Sequence, residues 1–201
     1  MPENTRLDHR IICDLIDRKS KVIDLGCGNG DLLQLLVEEK KVLAQGIELN
    51  EKQIYKCVEK GVSVFHGDIE SGLVGYPDKS FDYAILNQSM QETKNVGFVI
   101  KEALRVGKKV IVGFPNFVHL KARLSVFLRG KVPVTQSLPY RWYDTPNLHF
   151  LSITDFDDFC KENSIKILAK HFIGKNKRII FLANIFALNG IYLISRDNDS
   201  K

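Results

Sequence analysis

The stretch Asp24-Leu25-Gly26-Cys27-Gly28-Asn29-Gly30 constrains this chain more than any other. It ends a short apolar run, Lys21-Val22-Ile23-Asp24-Leu25, and precedes Leu32, Leu33, Leu35, Leu36 and Val37, whose spacing predicts a helix. A strand that breaks at glycines and resumes as a helix opens a βαβ unit. The glycines let the backbone turn tightly and approach a ligand closely. The helix that follows has free N–H groups at its start. A ligand of nucleotide or nucleoside size is therefore expected at the carboxyl end of the first strand.

The remaining pattern fits that opening. Leu7, Ile11, Ile12, Leu15 and Ile16 share one helical face ahead of the turn. Beyond it, strands are predicted at 42–48, 62–65, 81–86 and 109–114, and helices at 51–60 and 95–106, the first capped by Gly61. The strands are continuously apolar, as when helices cover both faces of a sheet. After residue 116 the pattern changes. Phe117, Leu120, Leu124, Phe127 and Leu128 fit one helical face, with Asn116 and Gly130 as caps. Lys131 to Phe150 is irregular and rich in proline and aromatics. A helix capped by Thr154 runs to about Asn163, strands follow at 165–172 and 190–195, and the terminal RDNDSK is expected to fray. The fold class expected is α/β, a doubly wound, mostly parallel seven-stranded sheet. Residues 1–201 read as a single domain, with a ligand-binding half at 20–114 and an insertion at 115–150.

Composition removes other classes. A chain of 201 residues with 44% apolar and 26% charged residues has the size and make-up of a globular domain, and no internal repeat. The cysteines at 13, 27, 57 and 160 share no C-x-x-C spacing and no histidine cluster, which argues against zinc and thioredoxin-type sites and for a reducing cytosol. The segment MPENTRLDHR lacks the apolar core of a signal peptide, and Ile179 to Ile194 is too broken by Asn184, Asn189 and Gly190 to span a bilayer. A cytoplasmic protein is expected. The net charge of +5 is too small to announce a nucleic-acid binder.

The glycine turn also selects among ligands. A dinucleotide fingerprint needs glycine or alanine three residues after Gly28, where this chain has Asp31. No Gly-Lys-Ser/Thr follows, so the turn is not a phosphate loop. A cationic sulfonium tolerates nearby carboxylates, which points to S-adenosylmethionine (SAM) or its product S-adenosylhomocysteine. Glu48, followed by Leu49, ends the second strand, where a carboxylate can accept both ribose hydroxyls. Asp68, after the third strand, can accept from the adenine amine while Ile69 packs on the ring. Asp24 can orient the loop and the ligand's ammonium, and Asn87 follows the fourth strand. Asp82 is expected to hydrogen-bond the glycine turn, and Cys27 to be a packing residue. His9, His66 and His171 are expected to be structural, and His119 is read as a core or solvent histidine before a base.

Taken in order, Asp24 to Gly30, Glu48, Asp68-Ile69 and Phe81 to Leu86 resemble the class I SAM-dependent methyltransferases. A more particular likeness lies downstream. It runs through Asn87-Gln88-Ser89-Met90-Gln91, Leu104-Arg105-Val106-Gly107, Phe114-Pro115-Asn116-Phe117, Pro133-Val134-Thr135 and Leu138-Pro139-Tyr140-Arg141-Trp142-Tyr143-Asp144-Thr145-Pro146-Asn147-Leu148-His149. Over nearly its whole length the chain resembles the methionine biosynthesis protein MetW family. The resemblance implies a methyltransferase fold and an association with homoserine O-acetyltransferase, the enzyme that activates homoserine. It implies a pathway more firmly than a reaction.

Tyr140 to His149 would then lie near the methyl end of the site. Tyr140, Trp142 and Tyr143 offer ring and hydroxyl contacts, and Asp144 and His149 an acid–base or positioning pair. Asp144-Thr145-Pro146-Asn147 is equally good turn chemistry, and Trp142 can be core. Pro115, Asn116, His119 and Asn147 complete the substrate or partner candidates. Two functions compete: a SAM-binding module acting on the acetyltransferase, and a methyltransferase of a small-molecule acceptor. The absence of an Asn/Asp-Pro-Pro-aromatic motif after the fourth strand argues against DNA adenine methylation.

The charge distribution says more than its total. From Ala103 to Tyr143 there are eight Arg and Lys residues and no acid, which leaves 21 basic against 24 acidic residues elsewhere. This basic segment overlaps the MetW-like signature and is the expected docking region for an acidic partner or an acceptor.

Overall fold

The computed structural model describes residues 6–135, 139–175 and 177–196. The readings on Leu138 and on the terminal residues 197–201 lie outside the described residues. Helix α1 (Leu7–Leu15) leads into β1 (Lys21–Leu25), α2 (Asp31–Lys40), β2 (Leu43–Glu48), α3 (Glu51–Glu59) and β3 (Val64–His66). Then come β4 (Phe81–Asn87), α4 (Val96–Val106), β5 (Gly107–Pro115), α5 (Leu120–Arg129), α6 (Ile153–Glu162), β6 (Ile165–Ile173), α7 (Ala183–Phe186) and β7 (Asn189–Arg196).

The strands form one seven-stranded sheet in the order β3-β2-β1-β4-β5-β7-β6. All neighbours are parallel except β7, which is antiparallel to both β5 and β6. The doubly wound, mostly parallel sheet expected from the pattern is therefore observed. The contiguous apolar runs are split by the strand period between two layers. Val22, Ile85, Ile111 and Leu193 pack with α1 and α2, whereas Ile23, Leu86, Val112 and Ile194 pack with α4 and α6. The strand order reverses between β1 and β4, and their carboxyl ends open a crevice there, the usual ligand position in such sheets.

Local chemistry moved several expected boundaries. The helix after β5 starts at Leu120, with His119 in the N-cap position. Asn116 does not cap it. Its amide is buried and donates to the carbonyls of Asn184 (3.1 Å) and Ala187 (3.0 Å), tying β5 to the segment before β7. Ser152, not Thr154, caps α6, in a reciprocal capping box with Asp155. Gly130 caps α5 with a left-handed φ of +58°. Arg105, from the signature Leu104-Arg105-Val106-Gly107, is structural. Its guanidinium donates to Glu102 and Asp78 and to the carbonyls of Leu73 and Tyr76, clamping α4 onto the loop before β4. Among the described residues no helix is long and apolar enough to cross a membrane.

Candidate functional site

The crevice holds a cleft of about 440 Å³, a size suited to a nucleoside-bearing small molecule. Its floor is the turn after β1. Gly26 and Cys27 donate their N–H groups to the Ile47 carbonyl (2.9 and 3.1 Å), so the turn is pinned to β2. Gly26 has φ +82°, and a Cβ there would stand 2.7 Å from Ser89 Cβ. That approach lets the Ser89 hydroxyl donate to the Leu25 carbonyl (2.7 Å), joining the loops after β1 and β4.

The expected cofactor residues Asp24, Gly26, Cys27, Gly28, Asn29, Glu48, Leu49, Asp68, Ile69 and Asn87 all line this cleft. Gly30 stands behind it, against Cys57. Glu48 accepts from the N–H of Gly28 (2.8 Å) through one oxygen and from Leu49 (3.0 Å) and Asn50 (2.9 Å) through the other. It thus joins the glycine turn to the start of α3. Asp68 accepts from Glu70 N (2.8 Å) and so fixes the loop that carries Ile69. Asp31, the residue that broke the dinucleotide fingerprint, is paired with Lys60, whose ammonium also donates to the Asn29 carbonyl (2.7 Å). Cys27 is buried beside Gly46, where an added Cβ would lie 2.5 Å from its sulfur.

Asp24 is the unusual group. It is buried, and its Oδ1 has no hydrogen-bond partner. Burial, and secondarily the Glu48 charge, push its carboxyl up to about 7. A buried carboxylate oxygen with no donor, on the wall of an open cleft, is suited to a ligand cation. The acids Asp24, Glu48, Asp68, Glu70 and Glu92 outnumber the basic groups on the lining, and Arg6 is already paired with Asp8 at 2.6 Å. The donor set therefore fits a cationic nucleoside better than a phosphate.

Helix α1 contributes a wall that sequence reasoning missed. Arg6 and His9 line the cleft. Asp8 is buried and accepts from the Asn87 amide (3.3 Å), while the Asn87 Oδ1 is buried without a partner. Burial raises the Asp8 carboxyl, but the Arg6 guanidinium outweighs it and holds it below the usual range. Burial lowers His9 below the usual imidazole value, against the pull of Asp8. The signal was available: Asp8 precedes Ile12 by one helical turn and is a polar residue on an apolar face. Gln88, Ser89, Glu92 and Thr93 after β4 were also missed as lining residues.

The substrate and partner candidates lie elsewhere. Pro115, Asn116, His119, Tyr140, Trp142, Tyr143, Asp144, Asn147 and His149 are absent from the cleft wall. Pro115 pairs with Asn189 in the sheet, and His119 is buried with Nε2 3.2 Å from Thr135 Oγ1. Tyr140, Trp142 and Tyr143 are exposed, so Trp142 is not core. Asp144 and His149 do not pair: Asp144 accepts from Arg141 N (2.6 Å), and His149 Nε2 is 3.3 Å from the Lys94 carbonyl. The segment does reach the site's margin, because the N–H groups of Leu148 (2.9 Å) and His149 (3.1 Å) both donate to the Gln91 carbonyl. Asn147 is buried in a turn closed by Thr145 Oγ1. Asp82 does not touch the glycine turn. It sits at the opposite end of the sheet, accepting from Lys21 N and Lys108, because it begins rather than ends β4.

Comparisons with known proteins agree with this architecture. The family profile described as methionine biosynthesis protein MetW matches residues 6–194. The bifunctional methionine biosynthesis protein MetXA/MetW of Rhodopirellula baltica is 31% identical over 170 residues, covering 80% of this chain and 27% of that protein. The 27-O-demethylrifamycin SV methyltransferase of Amycolatopsis mediterranei is 29% identical over 112 residues, covering 51% of this chain and 40% of that enzyme. The chain thus spans well under half the length of either relative. Among solved structures, a SAM-dependent methyltransferase of Thermotoga maritima, described as a possible histamine N-methyltransferase, superposes with a TM-score of 0.67 at 17% identity, covering 94% of this chain and 88% of that one. At that identity the likeness concerns the fold, which is the Rossmann-like class I methyltransferase fold.

Proposed function

This chain belongs to the MetW family of methionine biosynthesis proteins, and from that premise we propose that it is a SAM-binding protein that acts with, and regulates, a homoserine O-acetyltransferase. The cofactor half of the reading rests on Asp24, a buried carboxylate with an unpartnered oxygen on the wall of an acidic cleft. On this reading Asp24 faces the ligand's ammonium, Glu48 accepts from the ribose hydroxyls, and Asp68 with Ile69 holds the adenine. S-adenosylhomocysteine is the competing ligand. SAM, when bound, supplies an electrophilic methyl group. The partner half is supported by the R. baltica relative, whose name joins MetXA and MetW in one chain.

A second reading, methyl transfer to a small-molecule acceptor, is favoured by His9. Burial lowers its imidazole below the usual value, and it lines the same cleft, so it is available as a base. Two measurements separate the readings. Calorimetry is expected to show binding of SAM or S-adenosylhomocysteine, and no heat from either at high concentration would remove the cofactor. Affinity purification from cells is expected to recover the acetyltransferase, with SAM altering its activity. Recovery of the chain alone, together with methylation of a metabolite pool, would favour the second reading.

A further inference from the structure

Sixteen of the twenty-five exposed large apolar side chains among the described residues lie between Leu120 and Phe150 or between Ile180 and Phe186. The two segments are distant in sequence but adjacent in the fold. β5 ends and β7 begins side by side, Asn116 bonds the carbonyls of Asn184 and Ala187, and the Arg123 guanidinium reaches the Asn184 carbonyl (3.4 Å). Both are poor in acids: Asp144 is the only one between Leu120 and Phe150, and there is none between Ile180 and Phe186. No acid lies between Glu102 and Asp144, where there are eight basic residues, and none between Glu162 and Asp197, where there are six.

Helix α5 is the clearest case. Ala122 is its only buried residue, while Leu124, Phe127 and Leu128 are exposed along one face, Phe127 at 85%. Leu124 and Leu128, with Pro133 and Val134, line a groove of about 350 Å³ edged by Lys121 and Arg129. The segment that follows in sequence meets the start of α5 through Phe150, whose ring packs edge-on to Phe117 (5.1 Å), and it carries Trp142, the only tryptophan of the chain, which is 74% exposed. Trp142 packs edge-on to Tyr143 (5.6 Å between centroids), and Arg141 donates to the Tyr143 hydroxyl (2.8 Å) and lies 5.9 Å above its ring. An Arg-Trp-Tyr cluster at the surface has the composition of a protein-binding hot spot. The exposed apolar residues are not confined to the stripe on α5, as for a membrane-seeking helix, but continue over an extended segment and a loop.

We infer that α5 and residues 139–150 and 180–188 form one docking surface for a protein whose matching face is apolar at its centre and acidic at its rim. Resting on the function proposed above, that protein is the homoserine O-acetyltransferase. The apolar anchors supply affinity, and the net positive charge steers the encounter.

The test measures binding of the full chain to purified homoserine O-acetyltransferase, for wild type, Trp142→Ala, Phe127→Ala and the pair Arg129→Glu/Arg141→Glu, with SAM affinity and thermal melting as checks of folding. Each alanine variant is expected to lose roughly 30-fold or more in affinity with SAM binding kept. The charge-reversed pair is expected to associate more slowly and with a flatter salt dependence. Wild-type binding that none of the variants weakens would overturn the surface and leave the partnership standing. A wild-type chain that does not bind the acetyltransferase would refute the partnership and, with it, this occupant. Trp142 emission gives a second readout. A blue shift on mixed phosphatidylcholine–phosphatidylglycerol vesicles, or self-association lost in Trp142→Ala, would overturn the inference in favour of a membrane or a second copy.

Discussion

Asp24 sets two opposing demands on one carboxyl group. In the unfolded chain it ionises near 4, whereas in the folded chain burial defers ionisation to about 7. Folding therefore takes up a proton between those values, and this contribution to stability is lost as pH rises from about 4 to about 7. Asp24→Asn removes the penalty with little change of shape. Its melting temperature is expected to exceed that of wild type at pH 8, with the gap closing at pH 4; equal melting at pH 8 would mean that the carboxylate is already compensated. A bound cation favours the ionised form, so SAM binding near pH 6.5 is expected to release a proton. Calorimetry in phosphate and in bis-Tris, which differ in ionisation enthalpy, reads this directly. Glu48→Ala should weaken SAM by roughly 10- to 100-fold, since charge-assisted hydrogen bonds are worth about 1.5–3 kcal/mol. At this scale the strand-end acids were legible because strand, turn and position all agree on where the side chain points. Asp82 was misread because it lies at the opposite end of its strand, and His9 because nothing in a single helix says that its polar residues meet a cleft.

Elements were legible where apolar periodicity is long, and less so where a polar side chain decides the boundary. Asn116 looked like a helix cap because it precedes an apolar helical face, but its amide is taken up by two carbonyls before β7, a contact no local window contains. Ser152 took the capping role from Thr154 because its partner Asp155 stands three residues on, the spacing of a reciprocal box. Arg105 shows how a signature residue can be architectural. Its hydrogen bonds with Glu102 hold that carboxyl down to about 2, against the pull of burial. The link is intact above the usual glutamate range and lost as pH falls toward 2. Arg105→Met would leave the Leu73 and Tyr76 carbonyls without this donor and is expected to cost about 1.5–3 kcal/mol in urea unfolding. SAM affinity is expected to change little, because Arg105 is not on the cleft wall. A large loss of affinity would mean that the clamp also positions the loop bearing Asp68.

At the scale of the whole molecule, the cleft and the proposed docking surface share one piece of backbone. Gln88, Ser89, Glu92 and Thr93 line the cleft, and the carbonyl of Gln91 among them receives the N–H groups of Leu148 and His149. The Gln91 amide in turn donates to the Gln88 carbonyl (2.8 Å), so the turn has few independent ways to move. The glycine turn and the basic segment are each visible in the sequence, but the connection through Gln91 depends on a backbone contact that residue types do not reveal. If a ligand tightens this turn, the Leu148 and His149 hydrogen bonds carry the effect toward the segment with Trp142, and a partner that grips the segment acts back on the turn. Such coupling is reciprocal: the factor by which SAM changes affinity for the acetyltransferase must equal the factor by which the acetyltransferase changes affinity for SAM. We expect that factor to be about 5–150, the usual range for linked sites. Titrating SAM with and without saturating acetyltransferase, and the enzyme with and without saturating SAM, yields both ratios. Replacing Gln91 with Ala keeps its carbonyl but removes the amide that braces it, and should bring both ratios toward one while leaving each separate affinity within a few-fold. If both ratios are one in the wild-type chain, the cofactor and the partner occupy the protein independently, and SAM is no signal to the acetyltransferase.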